Sequence, residues 1–166
     1  ILDISKIESG NFDINIKQMN IHEVCRNVFE LFSNKADDKK ITFTFNINKD
    51  IPTCLLSDGI RIRQVLSNLI SNAIKFTNEN GEIDFKVSFI QEKNNLIKLR
   101  FLVKDSGIGI PSTKLANIFE PFIQVDNESN RKYEGTGLGL SISSHIIKLL
   151  GSKIEILSEI DAGSSF

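Results

Sequence analysis

No sign of charge dominates this chain. Its 20 Lys and Arg stand against 21 Asp and Glu, a formal net charge of -1. It therefore lacks the basic footprint by which a protein holds nucleic acid or an anionic membrane surface. Long apolar runs are missing too, so no segment is read as spanning a bilayer or as contacting one directly. No signal peptide is visible, because residues 1–10 are charged and amphipathic. Cysteine is scarce, and Cys25 and Cys54 lack metal-ligand spacing. Both adjoin apolar patterns and are read as buried, unpaired thiols in a reducing, cytosolic setting. There is no initiator Met, no internal repeat and no low-complexity tract, so the chain reads as an excised piece of a longer protein.

What is present describes one globular domain. A chain of 166 residues, 40% hydrophobic and 25% charged, can bury a proper core. Ile1, Ile4 and Ile7 fall at helical spacing up to Gly10, and Phe12, Ile14 and Ile16 alternate as in a strand. Asn20 with Glu23 resembles a capping box for a helix whose apolar face is Val24, Val28, Leu31 and Phe32. Strands are expected at residues 41–47 and 54–56. Asp58 then caps the longest helix, about residues 59–77, with Ile62, Val65, Leu66, Leu69, Ile70 and Ala73 on its apolar face. A hairpin at residues 82–103 turns near Lys93–Asn95. Ser112 is read as capping a short helix that Pro121 ends. A helix over 138–150, a strand over 153–157 and the start of a last strand at Phe166 complete the chain. Hairpins with one-sided helices predict a two-layer α/β sandwich, a mixed sheet of about five strands covered on one face by three helices. A doubly wound parallel sheet is disfavoured because no crossover helix joins the hairpin strands.

Three constellations carry chemistry. Asn68, Asn72 and Lys75, with Phe76 next, share one ridge of the long helix. Amide oxygens and an ammonium there suit a hydrated Mg²⁺ and the phosphates it bridges, although a polar ridge can also simply face water. Asp105-Ser106-Gly107-Ile108-Gly109-Ile110-Pro111 follows a strand. Its glycines allow a planar ring to approach closely, and its carboxylate can accept from an exocyclic amine. Gly135-Thr136-Gly137-Leu138-Gly139-Leu140 opens a helix whose free N–H groups suit an anion. It is neither a Walker loop nor a dinucleotide fingerprint, lacking the Lys-Ser/Thr ending and a leading strand.

The order is more telling than any single motif. The Asn helix, Asp-x-Gly-x-Gly, Phe119-Glu120-Pro121-Phe122 and Gly-Thr-Gly-Leu-Gly-Leu occur in the sequence seen in sensor histidine kinases, and the chain resembles that family from end to end. The resemblance implies a Bergerat-type sandwich that binds ATP with Mg²⁺. It implies Asn72 as the metal ligand, Lys75 as a phosphate contact, Asn68 as a further ATP-binding residue and Phe76 against the base or sugar. Asp105 would hold the adenine amino group, with Gly107, Gly109 and Ile110 shaping the pocket and Ser164 closing it. Gly135, Thr136, Gly137, Leu138 and Gly139 would cradle the phosphates. Residues 123–136 would form a mobile lid, with Arg131 or Lys132 reaching the phosphates.

The resemblance also divides the chain. Residues 1–10 look like the end of a dimerisation and phosphoacceptor helix, and 11–166 like the catalytic ATP-binding domain, its last strand expected to be cut short. His22 and His145 lack the acceptor context and are read as structural, so the acceptor histidine is expected upstream of Ile1. The expected partners are that hairpin and a response-regulator receiver domain. The intact protein would be a homodimer and this piece a monomer. Glu134 and Ser152 depart from the family pattern, both at motif edges. Two other readings stand beside this one: an ATP hydrolase, which would need a Glu where Asn68 stands, and a degenerate nucleotide-responsive binding module.

Overall fold

The computed structural model describes Ile7 and residues 12–124 and 136–166. Among them the order is β1 (Lys17–Asn20), α1 (Ile21–Asp38), β2 (Thr42–Ile47), β3 (Cys54–Ser57), α2 (Gly59–Phe76), β4 (Glu82–Lys93) and β5 (Leu96–Asp105). Then come α3 (Ser112–Leu115), α4 (Gly139–Leu149), β6 (Leu157–Glu159) and β7 (Gly163–Ser165). Five strands form one sheet in the order β2-β4-β5-β7-β6, and β1 with β3 makes a separate two-stranded ribbon. β2 runs parallel to β4, and the other pairs in the large sheet are antiparallel. The sheet is therefore mixed.

Alternation assigns the faces. Ile83, Phe85 and Val87 on β4 and Val103 on β5 are buried, while Lys86, Lys98, Arg100 and Lys104 on the opposite face are exposed. Phe45 stacks on Phe85 at 5.0 Å, and Phe29 of α1 lies 4.8 Å from Phe43 and 5.4 Å from Phe45. The helices thus cover one face only. β4 and β5 reverse through Asn94 and Asn95, both with positive φ (52° and 60°), as a tight two-residue hairpin demands.

The two long helices start where the sequence puts them. Asn20 Oδ1 accepts from the His22 and Glu23 amides at 3.1 and 3.3 Å. Asp58 Oδ1 accepts from Ile60 and Arg61 at 3.1 and 3.0 Å, each such cap contributing about 1 kcal/mol. Asp58 Oδ2 also takes the Asn15 amide at 2.8 Å, which ties the entry segment to α2. Val65, Leu66, Leu69, Ile70, Ala73 and Ile74 form the buried stripe of α2.

Several local expectations shift. Residues 12–16 form no strand; pairing begins at Lys17, where β3 supplies a partner. Phe12 is buried instead, beneath the Arg61 guanidinium at 4.1 Å and edge-on to His145 at 5.8 Å. Leu31 faces solvent, since the Val28–Phe32 spacing fills the buried slot. Cys54 is exposed because one side of the β1–β3 ribbon is left open, whereas Cys25 is fully buried and desolvation lifts its thiol to about 12. Ser112 is the first residue of α3, not its cap, and α3 ends at Leu115, well before Pro121. Ile154 and Ile156 alternate in burial as a strand would, but the ladder starts only at Leu157. No helix among the described residues is long and apolar enough to cross a membrane.

Candidate functional site

The C-terminal half of α2 is the organising element. Asn68 and Asn72 lie one turn apart on it, about 6 Å along the axis, and Lys75 and Phe76 end it. All four side chains are half-buried. The Lys75 ammonium sits 4.8 Å from the centre of the Phe76 ring, and burial draws its pKa below the ordinary lysine value.

The free carbonyls of this helix end are met from two directions. Lys39 Nζ, reaching over from the end of α1, donates to Ile74 O at 2.8 Å and Lys75 O at 3.0 Å. A cation is favourable at a helix C-terminus, and it also meets the hydrogen-bond demand there. From the other side, the Ile108 amide donates to Phe76 O at 3.2 Å. The second bond docks the Asp-Ser-Gly-Ile-Gly loop onto the Asn helix. At Gly107 a Cβ would stand 2.6 Å from Phe76 O, so only glycine permits the docking.

Asp105 ends β5 and is 7% exposed. Its Oδ1 accepts from the Gly107 amide at 2.8 Å and the Ser164 amide at 3.3 Å. Burial raises its pKa from the ordinary carboxylate value, and the two N–H bonds restrain the rise. Ser106 ties the loop back to β4: its hydroxyl accepts from the Glu82 amide at 2.8 Å, and its own amide donates to Glu82 O at 3.0 Å. Ile110 is held by its amide, which donates to Ser158 Oγ at 2.8 Å.

The glycine turn reaches α2 from the far side. Gly137 has φ 70°, and its carbonyl accepts from the Phe122 amide at 3.0 Å, linking the Phe-Glu-Pro-Phe stretch to the turn. A Cβ on Gly139 would collide with the Asn68 amide. That amide donates through Nδ2 to the buried Ser143 hydroxyl of α4 at 3.0 Å. Leu138 occupies the cap position of α4 with no side-chain cap bond, the arrangement of an anion-receptive helix end. The three motifs, far apart in sequence, thus meet around one half of α2.

Some expected residues contribute differently or fall elsewhere. Arg131, Lys132 and Gly135, with most of the expected 123–136 lid, lie outside the described residues. Thr136 is exposed, and Leu138 is buried rather than lining open space. His22 Nε2 donates to Ile51 O at 2.8 Å, and His145 stacks edge-on against Phe12, so both histidines have structural partners. Lys39 and Ser158 escaped the sequence reading. A lysine inside the charged run 37–40 gives no hint that it is aimed inward, and Ser158 belongs to no motif.

Comparison with known proteins adds the family. Residues 57–166 match the model described as histidine kinase-, DNA gyrase B-, and HSP90-like ATPase. The chain is 38% identical over its whole length to hybrid signal transduction histidine kinase B of Dictyostelium discoideum, of which it covers 8%. Among solved structures it is similar to full-length ShkA in complex with AMPPNP (32% identity, TM-score 0.84, 99% of this chain and 33% of that one). It is also similar to the nucleotide-free catalytic domain of histidine kinase ThkA (34% identity, TM-score 0.74, 92% of each chain). ThkA is also known in complex with the response regulator protein TrrA.

Proposed function

The chain belongs to the histidine kinase-, DNA gyrase B-, and HSP90-like ATPase family, and from that premise we propose that it binds Mg-ATP and delivers the γ-phosphate to a histidine on a separate hairpin of its parent protein. The phosphate would pass from there to an aspartate of a response regulator. The observation that carries this reading is the convergence on α2: the Asp105 loop docks through Ile108 N and Phe76 O, and the glycine turn packs through Gly139 against Asn68.

Phosphoryl transfer asks a protein chiefly for positioning and charge neutralisation. In this reading Asp105 accepts a hydrogen bond from the adenine amino group and fixes the base. Phe76 lies beside it, Lys75 brings a cation towards the phosphates, and the N–H groups opening α4 receive them. The donor set also fits Mg²⁺. No group of three or more His, Cys, Asp or Glu gathers among the described residues, and Mg²⁺ needs only one or two protein oxygens beside phosphate and water. Asn72 would supply that oxygen, and the bound ion would supply charge neutralisation.

Hydrolysis is disfavoured by residue type. By the resemblance, the related hydrolases carry a Glu as the base for water at the position of Asn68, and an amide cannot take the proton; its NH₂ is moreover bonded to Ser143. The two histidines are engaged elsewhere, so neither suits the role of phosphoacceptor. The chain spans less than a tenth of the length of the Dictyostelium relative, and we assign the acceptor to a part of the parent protein outside the described residues.

With labelled ATP, the chain alone should form no acid-labile, base-stable protein phosphate. Adding the parent's dimerisation hairpin in trans should give slow labelling, slow because the linker's roughly millimolar effective concentration is lost. His22→Gln and His145→Gln should leave that transfer intact. Efficient labelling of the chain alone, abolished by either substitution, would overturn the reading.

A further inference from the structure

Asp105, Ser164 and Ser158 form a row across three strands. Asp105 on β5 lies directly opposite Ser164 on β7, and Ser164 lies directly opposite Ser158 on β6. Directly opposed residues of antiparallel strands project to the same face, so the three side chains share the end of the sheet where the Asp105 loop begins. Ser164 is buried, 8% exposed.

The hydroxyl protons in this row can be assigned by counting. A serine hydroxyl has one proton to give and two lone pairs. Ser158 Oγ has three neighbours: the Ile110 amide at 2.8 Å, Gly163 O at 2.9 Å and Ser164 Oγ at 2.9 Å. The Ile110 N–H can only donate, so it takes one lone pair. Gly163 O can only accept, so the Ser158 proton must point to it. The remaining lone pair can then be satisfied only by the Ser164 proton. Were Ser158 to give its proton to Ser164 instead, two oxygens 2.9 Å apart would face each other lone pair to lone pair.

We infer that Ser158 is a specificity-setting positioning residue: by consuming the Ser164 proton it leaves Ser164, like the Asp105 carboxylate beside it, able only to accept. Acceptors that face the 6-position welcome the amino group of adenine, a donor, and repel the oxo group of guanine or hypoxanthine, an acceptor. N1 has the reverse character in each base, so the row discriminates in this sense by facing the 6-substituent. The inference rests on the adenine-site reading above and adds to it which residue enforces the choice of base. Ser158 itself need not touch the nucleotide.

The test compares dissociation constants of AMPPNP and its inosine counterpart, which share one phosphate chain, for wild type, Ser158→Ala, Ser158→Thr, Ser164→Ala and the double alanine variant. Thermal unfolding runs alongside. Ser158→Ala frees the Ser164 proton, so the adenine preference should fall about tenfold, the worth of one hydrogen bond. Ser158→Thr, which keeps the hydroxyl, should retain the preference. In the Ser164→Ala background, Ser158→Ala should change the preference no further. Equal weakening of both nucleotides by Ser158→Ala would reduce Ser158 to a structural role and overturn the inference. If Ser158→Ala does not fold, Ser164→Ala decides alone, and an unchanged preference there overturns it. A wild-type protein that binds neither nucleotide would overturn the adenine-site reading and the inference with it. A wild type that binds both equally would overturn the Asp105–amine contact and the inference together, whereas a wild-type preference left intact by Ser158→Ala overturns the inference alone.

Discussion

The base end and the phosphate end of the candidate site are built by different means. At the base end, strand register and bonds from side chains to backbone amides do the positioning: Asp105 takes the amides of Gly107 and Ser164, and Ser158 holds Ile110. At the phosphate end, side chains on helices do the positioning: Asn68 bonds Ser143 across α2 and α4, and Gly139 leaves room for it. Groups fixed through backbone tolerate almost no movement, whereas a ridge of side chains can adjust by rotamer. The base end should therefore act as the rigid anchor, and the phosphate end as the part that tells one nucleotide state from another.

The largest effect should come from removing the anchor. Asp105→Ala deletes a charged acceptor and leaves the Gly107 and Ser164 amides without theirs, each costing about 1–3 kcal/mol if it stays dry. Calorimetric titration should show ATP and ADP weakened alike, by about 100-fold, because both carry the same base. Asn72→Ala should behave differently, abolishing most of the Mg²⁺ dependence while sparing affinity measured without Mg²⁺. An Asp105→Ala protein that loses ATP but keeps ADP would erase the division between the two ends.

A smaller effect should follow from crowding the helical end. Gly139→Ala drives a methyl group into the Asn68 amide, and overpacking of this kind costs about 1–3 kcal/mol. Chemical denaturation should show that loss. Asn68→Ala removes the obstacle together with the Ser143 bond, so the two substitutions combined should cost less than their sum. Strict additivity would mean that Gly139 and Asn68 do not share this space.

How much of this was legible in the sequence follows the same division. Local rules suffice for Asn20 and Asp58, whose caps depend on residues two and three positions on, and for the apolar stripe of α2. The architecture was legible as well, because helices apolar on one side and a hairpin with a tight turn leave few ways to pack. Pairing partners were not. Phe12, Ile14 and Ile16 alternate like a strand, yet a ladder needs a neighbour, and β3 offers one only from Lys17 onwards. The same holds for Ile154 and Ile156, which alternate without a ladder. In the site, the motif residues could be named from their order, but Lys39 and Ser158 could not. Each acts on carbonyls or amides more than 30 residues away in sequence, and no spacing rule encodes such a contact.

The smallest effect, and the one that separates the two ends most cleanly, should come from pH. Asp105 is the anchor's only titrating group, and burial raises its pKa above the ordinary carboxylate value despite the Gly107 and Ser164 amides. A raised folded-state pKa means that the fold holds the proton more tightly than the unfolded chain does. This group's contribution to stability is therefore fully present below the unfolded pKa and is lost as pH rises through the folded one. Nucleotide binding has the opposite sign, because the adenine amine needs the ionised carboxylate as acceptor. Affinity should be intact above the raised pKa and fall as pH drops through it, at a higher pH than a solvent-exposed carboxylate would give. The ligand's own phosphates titrate near about pH 6, so the informative quantity is the difference between wild type and Asp105→Asn, measured with ADP and no Mg²⁺. Asp105→Asn should bind more weakly above the raised pKa and lose the acid-side decline that belongs to the carboxylate, so that the two profiles converge as pH falls. Parallel pH profiles for the two proteins would show that Asp105 does not hold the base through its charge, and the rigid anchor would then have to lie elsewhere in the loop.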